Sequence, residues 1–434
     1  MNKLFGNEFT SYKVELIAGL STFLTMIYII IVNTKILSQT GMPANAIVTS
    51  TVMISALSSI AMGLYAKNPY AVAPAMGMNV FFAYTIVDIW HIPWQTALGT
   101  VFWSGVIFAL LAIFNVRAKI LDAIPVGVKN GIGAGIGVFV ALVGFYNAGF
   151  IEKSPSSLLE IAPISVHTGI FIICLFLLII LTCRKVKTAM LIMIFVGCLL
   201  SLPFGRVIGT ETVMEIPKHF FSMPDFSLFF SIDWLGSLKI ATIPAIFSFL
   251  FINIFDSTGT IVGLASVANT LDEDGNPIRM RESLLVDSFS SLFSGLFGTS
   301  PSSVYVESAV GISIGGKSGL VAITVGVLFL PFLFLSPVVE MVPMFVVAPA
   351  LVIIGSHMLS SVRFIEWDDL SQTIPAFLTI VLMPLTLSIS QGIIWGMLSW
   401  LVISLATKKY NFNIITLAIC FCCFLMMCES MSIF

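Results

Sequence analysis

Gly298-Thr299-Ser300-Pro301 interrupts an apolar stretch in the second half of the chain, and Ala73-Pro74-Ala75-Met76-Gly77 interrupts another in the first half. Paired Gly/Pro-broken short spans in corresponding halves of a hydrophobic chain point to the binding site of a transporter built from two repeats, where half-helix ends meet near the bilayer midplane. A second pairing supports the repeat. Ile124-Pro125-Val126 opens a helix rich in small residues, and Val342-Pro343-Met344 opens another, 218 positions later in a chain of 434 residues. The bland alternative is a set of ordinary Pro and Gly kinks.

Working outward from these breaks, the composition leaves no soluble reading. Hydrophobic residues make up 58% and charged residues only 10% of the chain, against roughly 25% charged in soluble domains. The mean hydropathy is +1.05. A net charge of -2 provides no concentrated basic face, so nucleic acid is excluded as a partner. The cysteines Cys174, Cys183, Cys198, Cys420, Cys422, Cys423 and Cys428 lie in or against apolar segments without zinc spacing, and read as packing residues. The first apolar run, from Leu16 to Val32, has no small-x-small cleavage site and reads as a retained span rather than a signal peptide.

On the ruler of roughly 20 apolar residues per crossing, charged and Pro/Gly-rich breaks cut the chain into fourteen segments. They run near 14–34, 45–66, 71–86, 96–114, 124–147, 167–183, 187–204, 239–266, 283–298, 301–315, 318–336, 342–359, 372–388 and 391–407. Residues 412–428 are also apolar enough to enter the membrane. With the N-terminus cytoplasmic and the spans alternating, the inside set holds 15 of the 20 Lys and Arg: Lys3, Lys13, Lys67, Arg117, Lys119, Lys129, Arg184, Lys185, Lys187, Arg279, Arg281, Lys317, Arg363, Lys408 and Lys409. Lys35, Lys153, Arg206, Lys218 and Lys239 fall outside, and the positive-inside rule favours this orientation.

An acid at lipid depth costs on the order of 2.5 to 3.5 kcal/mol and so calls for a function. Asp256 sits in Phe249-Leu250-Phe251-Ile252-Asn253-Ile254-Phe255-Asp256-Ser257-Thr258-Gly259-Thr260, where Asn253, Asp256 and Thr260 share one helix face. Glu307 lies in Ser300-Pro301-Ser302-Ser303-Val304-Tyr305-Val306-Glu307-Ser308, six residues into a helix that Ser300 can cap and Pro301 can start. The structural alternatives are a stripe that glues helices by hydrogen bonds and an acid satisfied by neighbouring hydroxyls. In the first-half break, Met76, Gly77, Met78 and Asn79 precede Phe81, Phe82 and Tyr84, and together offer bare backbone, one amide and aromatic faces to a flat ring. Asp287 and His357 are also polar at depth and read as packing residues. Gly131, Gly133, Gly135 and Gly137 alternate within a helix and read as close helix contact, and no Walker A or His-Glu-x-x-His pattern occurs.

These residues resemble a known family, the purine permeases of the AzgA type within the wider nucleobase-cation symporters. The likeness covers nearly the whole chain. It rests on Ala18-Gly19-Leu20-Ser21-Thr22-Phe23-Leu24-Thr25-Met26, Ala73-Pro74-Ala75-Met76-Gly77-Met78-Asn79, Phe255-Asp256-Ser257-Thr258-Gly259-Thr260, Tyr305-Val306-Glu307-Ser308 and Gly315-Gly316-Lys317-Ser318-Gly319-Leu320. The resemblance implies an all-α polytopic membrane protein of about fourteen helices in two inverted seven-span repeats, broken by short strands in spans three and ten. It further implies a core domain from residues 1–118 and 236–338 and a gate domain from 119–235 and 339–434. Substrate would sit between the two strands, with Glu307, Asn253, Asp256, Asn79, Met76, Gly77, Tyr305 and Ser300 around it and a proton travelling through Asp256 or Glu307. The family often carries a second acid where this chain has Asn253, which leaves open whether Asn253 or Asp256 touches substrate; the Asn form leans toward adenine, ahead of hypoxanthine and guanine.

The expected function is therefore uptake of a purine nucleobase by proton symport across the plasma or inner membrane. The partners would be the purine, a proton and the lipid bilayer, with a homodimer open and no cofactor, metal or enzymatic activity. The alternatives are an anion carrier of the same architecture, for sulfate or bicarbonate, which the acids disfavour by repulsion, and an intramembrane serine hydrolase pairing Ser300 with His357.

Overall fold

The computed structural model describes residues 11–114, 123–152, 159–163, 165–207, 214, 217, 219–272, 277–407 and 414–432. Of the positive charges tallied above, Lys3, Arg117, Lys119, Lys153, Lys218, Lys408 and Lys409 lie outside the described residues, as do the side chains of Arg206 and Cys428. Each of the fourteen segments marked on the sequence contains a helix or a short strand leading into one. In chain order these are α1 (Tyr12–Ser38), α2 (Ala44–Ala66), β1 (Val72–Pro74) with α3 (Met76–Ile89), α4 (Trp94–Ile113), α5 (Val126–Asn147), the small pair β2 (Ile151–Glu152) and β3 (Glu160–Ile161), α6 (Val166–Cys183) and α7 (Ala189–Val207). The second half has α8 (Ile243–Ala268), α9 (Met280–Phe297), β4 (Ser302–Val304) with α10 (Ser308–Ile314), α11 (Gly319–Phe334), α12 (Met344–Phe364), α13 (Leu370–Thr386) and α14 (Ile389–Thr407). The C-terminal apolar stretch contributes α15 (Ile414–Ser432), which packs on α14; residues 412 and 413 lie outside the described residues.

Among the described residues, eight helices are long and apolar enough to cross a membrane: α1, α2, α4, α5, α6, α8, α12 and α14. Shorter apolar helices include α3, α11 and α13. Helix α9 stands apart because Arg281, Glu282, Asp287 and the serines 283, 288, 290, 291 and 294 lower its hydropathy. All five of those serines and Asp287 are buried, so α9 is shielded by protein instead of facing lipid along that side.

The helices gather into two packing groups. Helix α4 runs along α9, α1 and α2 run along α11, and α1 also meets α10, whereas α5 runs along α12 and α13, α13 along α14, and α6 along α7 and α12. Within the second group the alternating glycines work as their spacing suggests, since a Cβ on Gly137 would stand 2.5 Å from the Gly355 carbonyl. Close backbone approach of this kind gives membrane helices dispersion contacts that larger side chains would prevent. The loop before α8 straps the ends of the first group. The Ser222 amide donates to Phe334 O at 3.0 Å, the Phe230 amide to Leu296 O at 2.7 Å, and Phe229 stacks on Phe297 at 4.6 Å.

Glu15 is fully buried, and its carboxylate accepts the amides of Lys317 at 3.3 Å and Ser318 at 3.2 Å, where α11 begins. It thus satisfies two backbone donors at the helix start, beside the Leu320 amide that the Ser318 hydroxyl accepts. Truncation to alanine leaves two buried amides without it, at about 1–3 kcal/mol each. Glu15→Ala is expected to lower the melting temperature of the purified protein in detergent clearly, and Glu15→Gln, which keeps one acceptor, to lower it less; equal melting of both with wild type would refute the role.

Candidate functional site

The two sequence breaks meet. Strands β1 and β4 pair antiparallel, with Val72 opposite Val304, Ala73 opposite Ser303 and Pro74 opposite Ser302. The ladder continues through the Ala75 amide to Pro301 O at 3.0 Å and the Tyr305 amide to Ala71 O at 2.9 Å, and the Tyr305 hydroxyl donates to Pro74 O at 2.6 Å. Non-helical backbone at membrane depth survives only where protein satisfies its polar groups. Each break therefore supplies the hydrogen-bond partners of the other, and all six strand residues are buried.

This pairing corrects one local reading. Ser300 and Pro301 do not cap and start a helix; they lead into β4, and α10 begins only at Ser308 with Glu307 at its N-cap position. Pairing with β1 outweighs the local capping preference, because a helix from Pro301 would leave the β1 backbone without partners. Tyr28, 2% exposed, donates its hydroxyl to Glu307 Oε1 at 2.6 Å. Tyr28 follows directly on Ile27, where α1 is interrupted between Met26 and Tyr28.

Asn79 is fully buried at the start of α3; its Oδ1 accepts from the Ser300 hydroxyl, and its Nδ2 has no hydrogen-bond partner. Asn33 of α1 ties this corner together by donating to Thr51 Oγ1 at 2.7 Å and Thr299 Oγ1 at 3.0 Å. On α8, Asn253 is fully buried with both amide atoms unpartnered, a costly arrangement that calls for a ligand or water. One turn on, Asp256 lies half-buried on the same helix. Ser257 lies 3.3 Å from Ser303 and donates to the buried Asp287 of α9. Carboxylates, carboxamides and hydroxyls thus converge on one strand pair, a set suited to reading the N–H groups and ring nitrogens of a small heterocycle.

Other expected contributors have packing contacts of their own. A Cβ on Gly77 would stand 2.7 Å from Ile136 Cγ2, so the bare backbone there serves the approach of α3 to α5. Met76 is buried beside it. Phe81 packs edge-on against Phe249 at 5.1 Å, and the Tyr84 hydroxyl donates to Asn147 Oδ1 at 2.6 Å. His357 is exposed on α12, while the Ser300 hydroxyl is engaged by Asn79, so the two form no nucleophile–base pair. Among the described residues no cluster of three or more His, Cys, Asp or Glu can hold a metal. Tyr28, Asn33, Ser257 and Ser303 escaped the sequence reading. Asn33, in Ile29-Ile30-Ile31-Val32-Asn33, carried the same signal as Asn253, an amide at lipid depth.

The profile of the Permease family (Xan_ur_permease) matches residues 13–395. Adenine permease AdeP of Escherichia coli (strain K12) is 40% identical over 407 residues, covering 92% of this chain and 89% of that protein. Guanine/hypoxanthine permease PbuO of Bacillus subtilis (strain 168) is 35% identical over 410 residues, covering 93% of this chain and 94% of that protein. Among solved structures, the transmembrane domain of a cyanobacterium bicarbonate transporter, BicA, superimposes with a TM-score of 0.66 at 16% identity, covering 89% of this chain and 98% of that one. At that identity the likeness shows a shared transporter fold, while the named sequence relatives are permeases rather than enzymes. With two broken spans paired at its centre and relatives matched along nearly its full length, the chain is a multi-pass membrane protein that belongs to the Permease family.

Proposed function

We propose that this permease imports a purine nucleobase by proton symport, with adenine preferred over hypoxanthine and guanine. The observation that carries the reading is the fully buried, unpartnered carboxamide of Asn253, one helical turn from Asp256. A carboxamide offers one donor and one acceptor side by side, which complements the amino group and adjacent ring nitrogen of adenine. Glu307 would accept a ring N–H, with Asn79, Ser300, Tyr305, Met76 and Gly77 shaping the pocket. The AdeP likeness supports the adenine preference.

In this reading α1–α4 and α8–α11 form a core domain, residues 1–118 and 236–338, that shifts against a gate domain of residues 119–235 and 339–434. The two packing groups of helices support that division. The N-terminus lies in the cytoplasm of a cell or inner membrane, on the positive-inside balance of Lys and Arg. A bicarbonate-type anion carrier shares the fold, but the acids Asp256 and Glu307 would repel an anion.

The test is uptake of radiolabelled adenine in cells lacking their own nucleobase permeases, competed by hypoxanthine, guanine, xanthine and uracil, with and without a protonophore. Adenine uptake abolished by the protonophore is expected. Uptake of no nucleobase would overturn the substrate class, and accumulation indifferent to the protonophore would overturn the coupling.

A further inference from the structure

A set of side-chain hydrogen bonds ties the first packing group of helices to the second at one end of the molecule. The Tyr84 hydroxyl of α3 donates to Oδ1 of Asn147, the last residue of α5, at 2.6 Å, and the neighbouring Thr85 hydroxyl donates to Leu387 O, between α13 and α14, at 2.5 Å. The hydroxyls of Ser248 on α8 and Ser390 on α14 lie 2.5 Å apart. Helix α3 continues from β1 and meets α1 and α4, and α8 runs along α4, which places both with the first group. Phe81 against Phe249 joins α3 to α8 beside these bonds, so they form one cluster.

The backbone is irregular on both sides of the Thr85 bond. Residues Phe81–Ile89 wind as a π-helix, with the Trp90 amide reaching back five residues to Thr85 O at 2.9 Å, and such turns are rare outside functional positions. Opposite, Leu387 holds φ +49° and ψ +34°, a left-handed conformation that a leucine keeps only where its surroundings compel it. The hydroxyl of Ser388 beside it is buried without a hydrogen-bond partner. Exposure along α8 is uneven in the same sense. Phe249, Ile252 and Asn253, toward the Ser248 end, are no more than 3% exposed. Beyond Asp256, nothing lies within 4 Å of a Cβ added to Gly259 or Gly263, and Val306 beside Glu307 is 64% exposed. The candidate site is covered at the hydrogen-bonded end and bare at the other.

We propose that Tyr84, Thr85 and Ser248, with Asn147, Leu387 and Ser390 opposite them, are a latch that closes the nucleobase site toward one face of the membrane. Leu387 is its strained joint, which relaxes when the two groups of helices part. The assignment rests on the reading in which a core domain shifts against a gate domain. With the N-terminus cytoplasmic, the ends of α3 and α5 and the start of α14 lie at the outer face, so the latch governs entry. Opening it gives up hydrogen bonds but releases the strain at Leu387. The two terms offset each other, which keeps the closed and open states near in free energy, as a carrier that must visit both requires.

The experiment introduces Ser388→Cys, at a buried hydroxyl with no hydrogen bond to lose, into the full-length protein in lipid nanodiscs and follows its labelling by a maleimide. The exposed Cys183 and Cys422 set a background that the protein without Ser388→Cys measures. Adding Thr85→Val, which keeps the shape and loses the donor, should speed labelling at position 388 roughly two- to tenfold, the change that one neutral hydrogen bond makes in a two-state balance. Ser390→Ala should do the same, and keeps the test decisive if Thr85→Val does not fold. Leu387→Gly adopts the left-handed conformation without strain and should slow labelling, whereas a merely structural joint would be loosened by glycine and label faster. Parent rates in both Thr85→Val and Ser390→Ala would overturn the latch, and a Leu387→Gly rate no slower than the parent would overturn the strained joint. No labelling at position 388 in parent or variants, against full labelling after unfolding, is a different failure, which removes the core–gate movement and the latch with it. None of these rates depends on adenine, so a failure of the substrate reading leaves the test standing.

Discussion

Replacing Glu307 by glutamine is expected to weaken adenine binding by roughly ten- to a hundredfold, the loss that follows when a charged hydrogen bond worth about 1.5–3 kcal/mol becomes a neutral one or is lost. Glutamine has nearly the size of glutamate, and its carbonyl oxygen can still accept the Tyr28 hydroxyl that now lies 2.6 Å from Glu307 Oε1. The tie between α1 and the N-cap of α10 is thereby preserved, so the variant isolates the charge from the architecture. What it changes is the face offered to a ligand. A carboxylate accepts at both oxygens, whereas an amide presents two N–H donors on one side, and these would oppose the ring N–H of a purine. Equilibrium binding of radiolabelled adenine to purified protein, with melting temperature as the control for folding, measures the effect. Wild-type affinity in Glu307→Gln would remove Glu307 from the site and leave Asn253 and Asp256 to account for recognition.

How much of this could be read from the chain alone depended on the range of the interaction. Span lengths follow from local hydropathy, and the fourteen segments coincide with helical or strand–helix units because desolvating the backbone leaves so few alternatives in a bilayer. The breaks at Pro74 and Pro301 were legible for the same reason: proline and glycine mark where a helix cannot continue. What replaces the helix there was not legible from local signals, since Ser302 finds its strand partner at Pro74, more than half the chain away. The capping pattern at Ser300 was sound as local chemistry and lost to that distant pairing; only the family resemblance anticipated strands. Tyr28 and Glu15 were missed likewise. Their partners lie 279 and more than 300 positions away, and nothing in Met26-Ile27-Tyr28 or Val14-Glu15-Leu16 announces them. Asp256 and Glu307 stood out because a charge at lipid depth is conspicuous wherever its partner lies. Ser257, which donates to Asp287, did not, because serine in a membrane helix usually donates back to its own helix, as Ser55 and Ser201 do here.

The most severe loss of stability is expected at the crossing of α2 and α11, from Gly319→Val. A Cβ on Gly319 would stand 2.0 Å from the Gly63 carbonyl oxygen, and one on Gly63 would stand 2.2 Å from the Gly319 carbonyl oxygen. Both obstacles are backbone atoms, so no side-chain rotation relieves them and the helices themselves must separate. Overpacking that side chains can absorb costs typically about 1–3 kcal/mol, and a backbone collision of this kind exceeds that range. The displacement would not stay local. Helix α2 holds β1 through Ser59, whose hydroxyl accepts the Val72 amide at 3.0 Å and donates to Val72 O at 3.1 Å, and α11 is anchored to α1 through Glu15. Moving the two helices apart therefore pulls on the strand pair that builds the binding site, and both folding yield and adenine binding should fall together. Gly169→Ala on α6 is the matched control, since nothing lies within 4 Å of the added carbon and alanine favours a helix by about 1 kcal/mol. Monodisperse yield from membranes and melting in detergent distinguish the two. A Gly319→Val protein as abundant and as stable as Gly169→Ala would mean that the α2–α11 contact is looser than its backbone geometry requires, and that the strand pair is held without it.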